Sequence, residues 1–297
     1  MKKLIAVLCT LVLCTGMLAG CGSSSSESGD KVGFSVSTLN NPFFVTLTDG
    51  AKDEAKTLGL DLTVVDAGDD TAKQTSDIED LISKDIKVLI VNPVDSDAVA
   101  PAVQEAIDKG IKVISVDRTV NGADVDCAIA SDNVDGAKQV TEYLVEQVGK
   151  GTEVAEITGT TGASAAIDRS KGFHEVADTE LTVVASQSGD FNRATAMTVM
   201  ENIIQANPNV KAVFAANDEM ALGAIEAIQA SGKDIKVVGF DATDDGQQAV
   251  KDGTMLATVA QKPEEMGKQA VEIADKLIKG ESVDKVIPVA VELVKGE

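Results

Sequence analysis

Two acidic residues end predicted strands in company that could do chemistry. Asp117 is followed at once by Arg118, and Asp241 is preceded by Phe240. A further arginine, Arg169, lies in the loop-to-helix segment Ala166-Ile167-Asp168-Arg169. Arginine is scarce here: of 26 basic residues only Arg118, Arg169 and Arg193 are arginine. Lysine therefore supplies the surface charge, and the planar five-donor guanidinium is kept for places that need its geometry. Arg193 reads as a helix-surface residue. Two carboxylates balanced by two guanidiniums suit a neutral polyol. Carboxylates accept from hydroxyls and guanidiniums donate to them, while the amides at Asn41, Asn92, Asn217 and Gln261 can do both. The aromatic residues point the same way. There is no Trp, one Tyr and seven Phe. Phe34, Phe173 and Phe214 fall inside strand or helix patterns and read as core. Phe43, Phe44, Phe191 and Phe240 stand in polar segments at strand ends, where a large ring needs something in a cleft to pack against. The C–H faces of a sugar ring are one such partner; for any single ring, plugging a loop onto the core is the other.

Catalysis has little raw material in this chain. The one histidine, His174, lies on a predicted helix among charges, which leaves no basis for a His-centred catalytic or metal site. Asp117 and Asp241 could be paired as in a glycosidase. The arginines beside them are expected to lower both pKa values, whereas a general acid needs one raised. No GxGxxG or Walker loop opens a helix after a strand, so no nucleotide cofactor is expected. A formal net charge of −22 and a pI near 4.3 argue against nucleic acid, which requires a basic face.

These residues must be positioned by an α/β framework. From Lys31 onward, short β-branched runs alternate with helical patterns, the signature of βαβ units on parallel sheets. Strands are expected at 32–37, 62–66, 88–91, 113–116, 128–130, 153–158, 183–186, 212–215, 237–239, 257–260 and 286–289. Helices are expected over 97–109 and 219–230, where apolar residues recur on one face. A weak internal repeat organises the whole. Residues 87–118 and 211–242 both run strand, Asn (Asn92, Asn217), acidic helix start, amphipathic helix, glycine turn, Ile-Lys-Val strand and Asp (Asp117, Asp241). Two similar lobes follow, each a doubly wound parallel sheet, with ligand contacts at the carboxyl ends of the strands.

The amino terminus reads as a leader. Lys2 and Lys3 precede an apolar run from Leu4 to Leu18 that is short for a membrane span. Leu18-Ala19-Gly20-Cys21 then looks like a lipobox, with cleavage before Cys21 freeing its thiol for a lipid. Residues 1–20 are thus a signal peptide and 21–30 a flexible tether. Cys9 and Cys14 leave with the signal, so Cys127 remains alone and no disulfide framework is possible; it reads as a small buried apolar residue.

Four segments carry a family resemblance: 37–44 (Ser-Thr-Leu-Asn-Asn-Pro-Phe-Phe), Asn92 to Val99, Asn217 to Ala224, and Val238-Gly239-Phe240-Asp241. They resemble the bacterial ribose-binding receptors of the periplasmic binding protein type, over essentially all of the chain from Lys31. The resemblance implies a pocket in which Phe43, Phe44 and Phe191 stack on a sugar with Phe240 beside them. Asn41, Asn92, Asp117, Arg118, Arg169, Asn217, Asp241 and Gln261 would supply its hydrogen bonds. It also implies an N-terminal lobe of residues 31–131 plus 262–290, a C-terminal lobe of 132–261 plus 291–297, and a hinge near Ser131, Gln261 and Ala290. D-ribose is then the expected ligand, an ABC-type permease the partner, with a chemoreceptor as a possible second one, and no cofactor or metal. The protein would be a monomer outside the cytoplasm, touching the membrane only through the lipid on Cys21. Alternatives are another pentose or hexose, or a chemosensory or quorum-signal sugar receptor. A sugar-responsive repressor shares the two-lobed module but carries a DNA-binding helix-turn-helix where this chain has its leader.

Overall fold

The computed structural model describes residues 30–296. The signal peptide, the proposed lipidation at Cys21 and nearly all of the tether lie outside the described residues. The chain forms β1 (Lys31–Val36), α1 (Pro42–Leu58), β2 (Asp61–Asp66), α2 (Thr71–Ser83), β3 (Val88–Val91), α3 (Ala100–Asp108), β4 (Lys112–Val116) and β5 (Cys127–Ser131). It continues with α4 (Asn133–Val148), β6 (Glu153–Thr158), α5 (Ser164–Glu180), β7 (Thr182–Ser188), α6 (Arg193–Ala206), β8 (Ala212–Ala215), α7 (Asp218–Ser231) and β9 (Lys236–Val238). Last come α8 (Asp244–Lys251), β10 (Ala257–Ala260), α9 (Pro263–Ile278), β11 (Val286–Val289) and β12 (Glu292–Lys295).

The strands make two six-stranded sheets, ordered β11-β5-β4-β3-β1-β2 and β12-β10-β9-β8-β6-β7. Every strand pair is parallel except β10 with β12. Central strands such as β3 are buried along their whole length, as expected where helices cover both faces of a parallel sheet. The internal repeat maps onto matching positions: β3-α3-β4 in the first sheet and β8-α7-β9 in the second. Two α/β lobes result. The first carries apolar clusters on both faces of its sheet, and the second has one continuous core around β6 and β8. Phe34, Phe173 and Phe214 are core residues, with Phe173 and Phe214 stacked at 4.9 Å. Cys127 is buried and free.

Two expectations need correction. Helix α3 starts at Ala100 rather than Asp97, because Pro101 favours the first turn of a helix. The residues before it form a turn in which Asp95 Oδ1 accepts from the amides of Asp97 and Ala98. The sequence reading also missed β12, which pairs antiparallel with β10 at the edge of the second sheet.

Candidate functional site

Helix starts and sharp turns at the strand ends bring the polar and aromatic residues together. Asn41 caps α1: its Oδ1 accepts the Phe43 amide at 2.9 Å, with Pro42 opening the helix. Phe43 and Phe44 therefore occupy the first turn of α1, not a loop, and meet edge to face at 5.2 Å. Asn217 caps α7 in the same way, through the Met220 amide. After β4 and β9 the chain turns through left-handed backbone at Asp117 (φ 65°), Asp241 (φ 116°) and Ala242 (φ 51°), and Phe191 does the same after β7 (φ 54°). Such conformations cost about 1–3 kcal/mol each in a residue with a Cβ, and they cluster where a site needs an unusual aim.

Between the lobes lies a narrow chamber, whose empty space is about 240 Å³ when the part open to solvent is counted. The first lobe lines it with Asn41, Phe43, Phe44, Asp117 and Arg118; Ala165, Arg169, Phe191, Asn217 and Asp241 line it from the second, and Gln261 follows β10 where the chain returns to the first lobe. Ten of the twelve residues picked from the sequence thus meet in one place. Asn92 and Phe240 sit one layer behind. Asn92, fully buried, donates to Asp117 Oδ2 at 3.1 Å and to Val116 O, and accepts from the Ser37 amide. It holds Asp117. Phe240, also fully buried, lies under Arg169, whose guanidinium carbon is 3.9 Å from the ring centre. Ala165 was missed from the sequence, where nothing distinguishes it from its alanine neighbours.

Arg169 donates to Asn133 Oδ1 and Ala216 O, both at 2.8 Å, and to Asp241 Oδ1 at 3.3 Å. Gln261 Nε2 donates to the same Asp241 oxygen at 2.7 Å. Arg118 is fixed by a 2.8 Å bond to Pro93 O, and lies between the rings of Phe44 and Phe191, one from each lobe, at 5.2 and 5.3 Å. Its Nε is 3.7 Å from Asp117 Oδ2, an ion pair too long to be a hydrogen bond. Among the described residues, four buried polar atoms of this lining have no hydrogen-bond partner: Asp117 Oδ1, Arg118 Nε, Asn217 Nδ2 and Gln261 Oε1. Two accept and two donate.

The expected effect of the arginines on the acids does not hold. Burial raises the Asp117 pKa against the opposing pull of Arg118, Arg169 and Asn92. It pushes Asp241 up to about 8, with Arg169 opposing and Asp218 adding to the rise. Burial likewise lowers Arg118, despite Asp117 and Asp69. Desolvation outweighs ion pairing because the lobes are shut around the chamber. The closure includes direct contacts between lobes: Ser96 N donates to Gly162 O at 3.0 Å, Ser164 N to Ser96 Oγ at 3.2 Å, and Thr119 N to Ser164 Oγ at 2.9 Å.

The comparisons with known proteins agree with this geometry. The family described as "Periplasmic binding protein domain" matches residues 32–282. The ribose import binding protein of Bacillus subtilis is 46% identical over 303 residues, covering 99% of each chain. That of Escherichia coli is 45% identical over 296 residues, covering 99% of this chain and 98% of its own. The myo-inositol binding protein of Caulobacter, solved with myo-inositol, superposes with a TM-score of 0.85 at 34% identity, covering 89% of this chain and 93% of that one. Two doubly wound lobes, a polar and aromatic chamber between them, and relatives matched along nearly their whole length lead to one assignment: the chain belongs to the periplasmic binding protein family, alongside its ribose import binding proteins.

Proposed function

We propose that this chain is an extracytoplasmic receptor that closes around one molecule of D-ribose and delivers it to an ABC-type importer. The observation that carries the reading is the set of four unpartnered atoms, two donors and two acceptors, between phenylalanine rings in a closed chamber. Each buried polar group left unsatisfied costs about 1–3 kcal/mol, so shutting the lobes on nothing is unfavourable. Sugar hydroxyls both donate and accept, and satisfy both kinds of group at once. The ligand thus shifts the population from open to closed. The names of the relatives, which are ribose import binding proteins, support ribose within the class of neutral sugars.

The lobes move as residues 31–131 plus 262–290 against 132–261 plus 291–297, about a hinge near Ser131, Gln261 and Ala290. The path of the chain supports this, since it passes between the two sheets after β5, after β10 and between β11 and β12. Asn41, Phe43, Phe44, Asp117, Arg118, Arg169, Phe191, Asn217, Asp241 and Gln261 touch the sugar; Asn92 and Phe240 hold Asp117 and Arg169. The receptor works as a monomer, performs no covalent chemistry, and is held to the membrane by lipid on Cys21. Calorimetric titration of residues 22–297 against a sugar panel tests the reading. D-ribose should bind at one site with micromolar affinity or better, about −8 kcal/mol. Ribose 5-phosphate should bind far more weakly, because closing the lobes would strip water from the charged phosphate. Equal binding of the phosphate, or no heat with ribose, would refute it.

A further inference from the structure

Asp218 is a buried acid that the chamber does not use. It is the first residue of α7, directly after Asn217, and is fully buried. Its carboxylate points away from the sugar site: Oδ1 accepts from Thr258 Oγ1 at 2.6 Å, and Oδ2 accepts from the Thr243 amide at 2.8 Å and Thr243 Oγ1 at 3.1 Å. Its own amide donates to Phe240 O at 2.7 Å. Both ends of the turn from Phe240 to Thr243 therefore hang on this one residue. That turn holds Asp241 and Ala242, two consecutive residues with left-handed backbone. The backbone closes tightly around the carboxylate. A Cβ added at Gly239 would stand 2.5 Å from Oδ1, and one at Gly246 would stand 2.0 Å from Oδ2.

Capping alone does not account for an acid here. Asn217 already caps α7, and Thr243 Oγ1 already caps α8 by accepting from the Gly246 amide. A second carboxylate behind Asp241 carries a desolvation cost, and burial raises Asp218 itself to about 6 despite the bonds from Thr258 and Thr243.

We infer that Asp218 is a positioning residue for sugar capture, holding the strained turn from Phe240 to Thr243 in the form that aims the Asp241 carboxylate into the chamber. This rests on the sugar-binding reading above. The charge of Asp218 also acts on Asp241 from behind. The charged groups that bear on Asp241 are Arg169 from α5, Asp218 from α7, Asp117 from the first lobe, and Arg118 beside Asp117; Gln261 adds a neutral donor. Of these, Asp218 and Asp117 favour the protonated acid. Removing the Asp218 charge lowers the Asp241 pKa, so the pH step in affinity that Asp241 causes moves to lower pH.

The test measures the ribose Kd of wild type, Asp218→Asn and Thr258→Val from about pH 5 to about pH 9, with thermal melts alongside. Asp218→Asn keeps the volume but loses the charge and one acceptor; Thr258→Val keeps the charge and loses two ties, the bond to Asp218 Oδ1 and the acceptor of the Ala242 amide. Both variants should bind ribose roughly tenfold more weakly or worse near neutral pH. Only Asp218→Asn should move the midpoint of the pH step, downward by about half a unit or more. Wild-type affinity in both variants, a wild-type profile flat across the range, or an unmoved midpoint in Asp218→Asn overturns the inference while leaving the sugar reading intact. If Asp218→Asn fails to fold, the affinity of Thr258→Val decides: a wild-type Kd overturns it. Wild type that takes up no ribose at any pH overturns the sugar reading and this inference with it.

Discussion

Closing the cleft should be weakened without touching the sugar at all. Ser96 and Ser164 join the lobes directly: Ser164 N donates to Ser96 Oγ, and Thr119 N donates to Ser164 Oγ. Neither serine lines the chamber. In the double variant Ser96→Ala/Ser164→Ala both acceptors disappear, while the backbone bond from Ser96 N to Gly162 O survives. Each lost bond is worth about 0.5–1.5 kcal/mol net, so closure loses about 1–3 kcal/mol in total. Sugar binding draws on closure, and the loss passes into Kd as a factor of roughly 5 to 150. Both bonds cross between the lobes and are lost when the lobes part, so the unliganded melting temperature should hardly change. Because the perturbation acts on the closing equilibrium, every sugar should weaken by the same factor. Titration calorimetry with D-ribose and a weaker pentose such as D-arabinose measures both constants. Small-angle scattering reads the contraction on adding sugar, which in the double variant should need proportionately more of it. An unchanged ribose Kd refutes the argument. A changed ratio between the two sugars refutes it too, since it would mean the serines act on the ligand and not on the closure.

Asp241→Ala should cost about 2–5 kcal/mol in ribose binding, because it leaves Arg169 and Gln261 facing the chamber without their shared acceptor. Its unliganded melting temperature should not fall, as the deleted acid is one that burial already disfavours in the ionised state; a large drop in stability would count against a ligand-facing role. His174 should make stability depend on pH. Burial lowers its pKa, but the bonds and charges of Asp178 and Glu156 outweigh that and leave it raised. Its contribution is therefore complete below about pH 6.5 and is lost as pH climbs through the raised folded value. Wild type should exceed His174→Gln in melting temperature at mildly acid pH and converge with it at alkaline pH, and a gap that widens with pH would reverse the assignment. Cys21→Ser should abolish incorporation of a fatty-acid probe and release the protein from the membrane fraction with ribose binding intact; unchanged labelling would dismiss the lipobox.

Much of this protein was written locally. Among the described residues, eleven of twelve strands followed from β-branched runs between turn residues, and central ones such as β3 are apolar throughout because helices cover both faces of the sheet. The two-lobe plan followed from the repeat that sets Asn92 against Asn217 and Asp117 against Asp241. Local signals failed at the edges. β12 is four residues, half of them charged, and is a strand only because β10 offers it an edge. The chemistry of the site was likewise legible as residue types and not as roles. Asn92 and Phe240 look like Asn217 and Phe191 in the sequence, and only packing shows that they stand behind the chamber while the others line it. The direction of the acid pKa shifts could not be read from neighbouring arginines, since it depends on how completely the closed lobes exclude water. The Ser96–Ser164 contact and the hold of Asp218 on the turn carrying Asp241 join residues 68 and 25 positions apart in the chain. No local pattern records such pairs, because they exist only once the sheets have folded and the lobes have met.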